Sequence, residues 1–130
     1  AHECNLADWE RDMLEKPDGS VIIVVATDAP VDARQLKRLA KRAGIGLGRT
    51  GTHIHNGSGD IIIAFSNVNH VPHSSTEPFI QQQLLRDDHP VMNELFQAVI
   101  EATEEAVYQS ILHAKTTIGR RGRVIEKGEF

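Results

Sequence analysis

The sequence predicts an α/β domain, and three observations carry that prediction. Two runs rich in Val and Ile, SVIIVVATD (20–28) and DIIIAFSN (60–67), read as strands. An amphipathic helical pattern over 31–48 lies between them. A longer helical pattern runs from Pro90 to about Lys115. Neither Val/Ile run alternates with polar residues, which marks central strands covered on both faces rather than edges.

The elements follow in order. Leu6, Trp9, Met13 and Leu14 recur at helical spacing, so residues 6–15 read as a short helix. Pro17 stops it, and Asp18-Gly19 is a turn signal. Ser20 then opens the first strand. In the 31–48 helix, Asp32 and Gln35 form a capping box. Leu36, Leu39, Ala40, Ala43 and Leu47 make its apolar face, and Lys37, Arg38, Lys41 and Arg42 its wet one. Gly44, Gly46 and Gly48 weaken its second half. The Gly-rich loop RTGTHIHNGSGD feeds the second strand. Residues 68–77 form a polar loop, and Phe79 to Leu85 fits strand and helix equally. Pro90 suits a first helical position. Met92, Leu95, Phe96, Val99, Ala102, Ala106 and Ile111 make the core stripe of the long helix, with Gly119 past its end. Two strands covered on both faces need more neighbours than the two clear strands and one doubtful one of this sequence. Either strands in the tail fill in, or, as favoured here, the strands belong to a larger sheet whose others come from another polypeptide.

Composition narrows the function classes. A chain of 130 residues, 40% hydrophobic and 25% charged, is one globular domain. A net charge of −4 gives a nucleic-acid partner no electrostatic support, and GRRGR (119–123) reads as a solvated tail. The single cysteine, Cys4, makes no internal disulfide, so a cytoplasmic location is expected over a disulfide-built secreted one. No apolar run approaches the roughly 18 residues of a membrane span, so no membrane partner is expected.

Three groups of residues are candidates for chemistry. Ser20 follows Gly19 at the mouth of a strand. The Ser20 hydroxyl is placed to attack the Gly19 carbonyl, and a product beginning at Ser20 would carry an α-amine able to act as base. Asp-Gly-Ser before a strand is equally ordinary turn chemistry. In NGSGD, Ser58 and Asp60 in extended chain share one face, so Asp60 is positioned to accept from Ser58 or orient a third group. A polar loop is the bland reading of the same residues. His53-x-His55 can chelate a metal if extended, with His70 and His73 in a nearby loop. No Cys or carboxylate stands at a recurrent ligand spacing, so surface histidines and no metal or organic cofactor are expected.

Three segments in order, GSVIIVVATDAPVDARQLKRLAKRAGIGLGRTG, NGSGDIIIAFS and LFQAVIEATEEAVYQSILHAKTTIGR, resemble one family. It is the DmpA-type L-aminopeptidase/D-esterases with their β-peptidyl aminopeptidase relatives, matched from about Gly19 to about Arg120. The resemblance implies a four-layer αββα sandwich of the N-terminal nucleophile hydrolase kind. It implies a precursor that cuts itself, with residues 1–19 ending the upstream region and 20–130 forming the nucleophile-bearing subunit. Gly19 and Ser20 would flank the cut and Ser20 would be the nucleophile. Ser58 and Asp60 match the Ser-Gly-acid motif that assists it, some members having Glu at the acid. The larger N-terminal subunit would complete the sheet and supply the oxyanion Asn, a Tyr near the nucleophile and the groups holding the substrate amine. The implied function is a serine aminopeptidase acting on peptides, amides or esters, as an oligomer of processed pairs. Two rivals remain: a non-catalytic or unprocessed member, and a His-based metal-binding module.

Overall fold

The computed structural model describes residues 19–128. The helix expected over 6–15, its Pro17 stop and Cys4 lie outside the described residues.

Two parallel strands form the centre. Strand β1 spans Ile22–Thr27 and β2 spans Ile61–Ser66, in register from Ile22 opposite Ile61 to Thr27 opposite Ser66. Helix α1, Ala33–Arg49, connects them, and helix α2, Val91–Leu112, packs against α1. The core joins Val31, Leu39, Ala43, Met92 and Val99, with Ile23, Val25 and Ile62 of the strands packed on it. Leu39 and Ala43 are 0% exposed.

Among the described residues the strands are covered on one face only. Ile23, Val25, Ile62 and Ala64 turn half-buried toward the helices, while Ile22, Val24, Ile61, Ile63 and Phe65 are exposed on the other side, Ile22 by 68%. The alternation is the pleat of a strand, which sends successive side chains to opposite faces. It is hidden in the sequence because both faces are apolar. The non-alternating runs are those of a sheet interior, but among the described residues nothing lies on the second face. The outer edge of β1 likewise has no partner strand among the described residues.

Helix α1 starts where its capping box predicts. The Asp32 side chain accepts from the Gln35 N–H at 2.7 Å, and the Gln35 Oε1 accepts from the Asp32 N–H at 3.0 Å. Gln35 is 2% exposed and does further work: its Nε2 donates to the Leu85 carbonyl at 2.7 Å and to Asp87 Oδ1 at 3.0 Å. Asp87 is also held by Arg34 and Arg38. The Leu85 N–H donates to the Pro30 carbonyl at 2.7 Å. These bonds settle the ambiguous stretch from Phe79 to Leu85, which is neither strand nor helix but an irregular segment pinned at its end to α1. The basic residues of α1 are not simply wet either. Arg42 lies 3.9 Å and Arg38 5.0 Å from the centre of the Phe96 ring, each covering it as a cation–π partner.

Gly46 is buried at the crossing of the two helices. A Cβ there would stand 2.4 Å from the Ile100 carbonyl oxygen and 2.8 Å from Thr103 Cβ. The glycine that weakens helix propensity is what lets the helices approach. Thr103, absent from the expected stripe, is buried because its hydroxyl donates to the Val99 carbonyl at 2.8 Å. Ala98, Ala102 and Ala106 instead line a groove of about 480 Å³ between α2 and β1, so the two expected alanines are open rather than core.

Helix α2 begins after Pro90, which stands at the N-cap, and ends at Leu112 rather than Lys115. The His113 N–H closes it on the Gln109 carbonyl at 3.0 Å, so the expected Gly119 stop is not used. Gly119 belongs to a small hairpin instead. Strand β3, Thr117–Ile118, pairs antiparallel with β4, Val124–Ile125. The basic residues of 119–123 make its turn, with Arg121 and Gly122 at φ of 62° and 76°. The hairpin does not join the β1–β2 sheet.

Candidate active site

The site lies at the N-terminal mouths of the two parallel strands. Ser20 precedes β1 by two residues, and Gly59 precedes β2 by two. The Gly59 N–H donates to Ser20 Oγ at 3.0 Å. One residue on, the Val21 N–H donates to Asp60 Oδ1 at 3.3 Å. The Ser58 hydroxyl donates to the same Asp60 oxygen at 2.7 Å. The Ile61 N–H then donates to the Val21 carbonyl at 3.0 Å, and the ladder begins.

The structure thus brings Ser20, Ser58 and Asp60 into one cluster. Both options for Asp60 are realised at once: it accepts from Ser58 and from the backbone beside Ser20. Ser20 is exposed, while Ser58 and Asp60 are half-buried. The Ser20 oxygen accepts from Gly59, which leaves its own proton free to be given to a base. A Cβ at Gly19 would meet nothing within 4 Å.

Spacing alone did not reveal the Gly59 N–H. Its signal was the pair Gly57 and Gly59, since a glycine lets backbone come close to a neighbouring side chain. A Cβ at 59 would meet Ser20 Oγ at 3.5 Å.

The histidines sit apart in role. The His53 and His55 rings are 5.1 Å apart, edge to face, in the loop that precedes Ser58. They are not brought together by extended chain, because Ile54 between them has φ of 54°. No group of three or more His, Cys, Asp or Glu side chains among the described residues is placed to hold a metal ion. The groove between α2 and β1 includes neither Ser20 nor Ser58 nor Asp60.

Residues 3–125 match the family described as peptidase family S58. The chain belongs to that family. It is 44% identical over 110 residues to the β-peptidyl aminopeptidase BapA of Sphingosinicella microcystinivorans, which covers 85% of this chain and 27% of that protein. Two solved structures share the fold. One is the L-aminopeptidase D-Ala-esterase/amidase of Ochrobactrum anthropi, described as a prototype of the serine aminopeptidases and a variant of the Ntn hydrolase fold. It aligns with a TM-score of 0.75 at 37% identity over 85% of this chain and 31% of that one. The other is a β-aminopeptidase of a Burkholderia species, with a TM-score of 0.71 at 32% identity over 89% and 34% of the two chains. The family expected from the motifs is the family found, and the α/β fold is part of an Ntn-hydrolase-type sandwich. The S58 chain spans about a quarter to a third of the length of these relatives.

Proposed function

We propose that this chain carries the nucleophile of a self-processing serine aminopeptidase. The observation that supports this reading most is the Ser20 hydroxyl held by the Gly59 N–H, with the Ser58–Asp60 pair bonded to the backbone one residue along.

Processing comes first. Ser20 Oγ attacks the Gly19 carbonyl carbon, the Gly19–Ser20 C–N bond breaks, and the freed amine takes the hydroxyl proton. The resulting ester of Gly19 on Ser20 is hydrolysed by water. Ser20 then begins the chain with a free α-amine, whose ordinary pKa of about 7.7–8.0 leaves it partly neutral near pH 7. In turnover the amine accepts the Ser20 proton as Oγ attacks the substrate acyl carbon, and returns it to the leaving amine or alcohol. Water hydrolyses the acyl-enzyme. The Gly59 donor fixes the Ser20 oxygen. Asp60 fixes the Val21 N–H, so the backbone carrying the nucleophile and its amine stays aligned. The substrates are peptides, amides or esters with a free N-terminal amine. No cofactor enters this chemistry.

The remaining parts come from the larger N-terminal portion of the same precursor. It covers the exposed face of Ile22, Val24, Ile61, Ile63 and Phe65 and supplies the oxyanion donors, which are commonly worth about 10²–10³ in rate. Processed pairs assemble further into an oligomer.

The test is intact mass and N-terminal sequencing of the full-length product beside its Ser20→Ala variant. A fragment opening Ser-Val-Ile-Ile-Val, and an uncut, inactive Ser20→Ala variant, are expected. Wild-type protein that stays uncut overturns the reading and leaves a non-catalytic member of the family.

A further inference from the structure

The loop that leads into Ser58 contains the one Asn-Gly pair of the sequence, Asn56-Gly57. The fold places it at the centre of a tight turn, closed by the Ser58 N–H donating to the His55 carbonyl at 2.9 Å. Both residues are exposed. Among the described residues, neither the Asn56 carboxamide nor the Gly57 N–H has a hydrogen-bond partner. The two groups are neighbours along the chain, and nothing ties either of them down.

That combination is reactive. A backbone nitrogen that loses its proton to hydroxide is a nucleophile, and the carboxamide carbon of the preceding Asn is within its reach through a five-membered ring. A side chain on the attacking residue crowds the approach, and glycine has none. The other asparagines of the described residues are placed differently. Asn67 and Asn69 precede Val68 and His70, and Asn93 precedes Glu94 within α2. Asn69 is also clasped: its Nδ2 donates to the Gln83 carbonyl at 3.2 Å, and its Oδ1 accepts from the Gln83 N–H at 3.4 Å. The N–H that would attack Asn93, that of Glu94, donates to the Pro90 carbonyl at 3.4 Å.

We propose that Asn56 is a site of spontaneous covalent modification, deamidation, and that its product misaligns the Ser58–Asp60 pair. The Gly57 nitrogen attacks Asn56 Cγ, the Cγ–Nδ2 bond breaks, and the carboxamide nitrogen leaves as ammonia with the proton. A succinimide ring remains, and water opens it. Addition of water at Cγ gives aspartate. Addition at the other carbonyl gives isoaspartate, whose main chain runs through Cβ and Cγ and is longer by a methylene. Water is the only co-reactant, and nothing is oxidised or reduced. The extra methylene falls inside the turn that the His55–Ser58 hydrogen bond closes, and either product adds a negative charge. Ser58, which donates to Asp60 Oδ1 at 2.7 Å, is the next residue but one. The consequence for the site rests on the function proposed above; the modification itself does not.

The experiment ages the full-length protein and its Ser20→Ala variant for days in mildly alkaline buffer at body temperature. Peptide mapping by mass spectrometry locates the change, and an isoaspartyl methyltransferase measures the isoaspartate. A gain of about one dalton confined to Asn56 is expected in both proteins, faster as pH rises. Asn67, Asn69 and Asn93 should keep their amides. Gly57 lies outside the positive-φ region, so the turn accepts Gly57→Ala, which should slow the change at least about tenfold. Asn56→Gln should abolish it. Aminopeptidase turnover by wild type should fall at least about threefold as isoaspartate accumulates, while Asn56→Gln aged in parallel holds its starting rate. An Asn56 that keeps its amide as long as Asn67 does overturns the proposal. Full modification with undiminished turnover overturns its consequence for the site. Fresh protein without turnover counts against the aminopeptidase reading alone, because the mass readout does not depend on activity.

Discussion

Asp60 offers a sharp test of how the site works. Its Oδ1 accepts from the Ser58 hydroxyl at 2.7 Å and from the Val21 N–H at 3.3 Å. The first is a short bond and the second lies at the long end of the N–H···O range. Hydrogen bonds to a charged group are worth about 1.5–3 kcal/mol, against about 0.5–1.5 for neutral pairs. Asp60→Asn keeps an acceptor in place but removes the charge. That weakens the short bond by about 1 kcal/mol and the long one by about half as much. On the proposed self-processing at Ser20, a loss of about 1.5 kcal/mol in alignment of its backbone slows cleavage about tenfold. Asp60→Ala leaves both donors without this acceptor; because the residue is half-buried, water takes over in part, and about 2–3 kcal/mol, or 30- to 200-fold, is expected. Asp60→Glu restores the carboxylate on a longer arm and should recover most of the rate. The assay is the first-order disappearance of uncut full-length precursor by intact mass, with melting temperature measured alongside to separate misfolding from misalignment. Cleavage of a folded Asp60→Ala precursor within twofold of wild type would refute the reasoning.

Two further predictions rest on the frame around the site. Gly46→Ala sets a Cβ 2.4 Å from the Ile100 carbonyl oxygen, a backbone atom that cannot swing aside, so α2 must shift. It should destabilise the protein by about 1–3 kcal/mol despite better helix propensity. Gly44→Ala meets nothing within 4 Å and should stabilise by up to about 1 kcal/mol; equal melting shifts for the two would contradict the helix-crossing account. Asp87 has its carboxyl held below the ordinary value by the Gln35 side-chain hydrogen bond first, and by Arg34 and Arg38 after it. A depressed folded-state pKa means stability that is full above the unfolded value, about 3.9, and lost as pH falls through the lower folded value. Wild type should therefore melt above Asp87→Asn at pH 5–7, and the difference should shrink as pH falls below the unfolded value of about 3.9, as thermal scans across pH will show.

The local rules were the legible ones. The Asp32–Gln35 capping box involves neighbours three residues apart, so it shows in the sequence and in the fold alike. The two strands show because their Val and Ile runs are long and bounded by turn residues. What stayed hidden is non-local. The segment from Phe79 to Leu85 has no period of its own; it takes its course from Pro30 and Gln35, about 50 residues away. Gly46 reads as a helix weakener until its neighbour across the crossing is known. The bare face of the sheet was invisible for the opposite reason: both faces of β1 are apolar, so sequence cannot tell which is covered by these residues.

The candidate site was half legible, and sheet register explains the half that was not. Ser58 and Asp60 are close in sequence, so period-2 geometry could pair them. Ser20 and Gly59 are 39 residues apart, as are Val21 and Asp60. That is also the offset between Ile22 and Ile61 and of every pair along the ladder. The site is thus the continuation of the sheet's register past the first hydrogen-bonded pair. A slip of one residue would carry Ser20 away from Gly59. The same slip would turn Ile62 and Ala64 off the helices and bring Ile61 and Ile63 inward, because side chains alternate faces. The apolar contacts that hold Ile23, Val25 and Ile62 against the helices therefore also set where Asp60 meets the backbone of Val21. On the proposed function, Ser20 has to begin its chain as an N-terminal nucleophile, so it belongs at a strand's entrance rather than its exit. A parallel partner in fixed register delivers a second entrance, with its own N–H and carboxylate, to the same place.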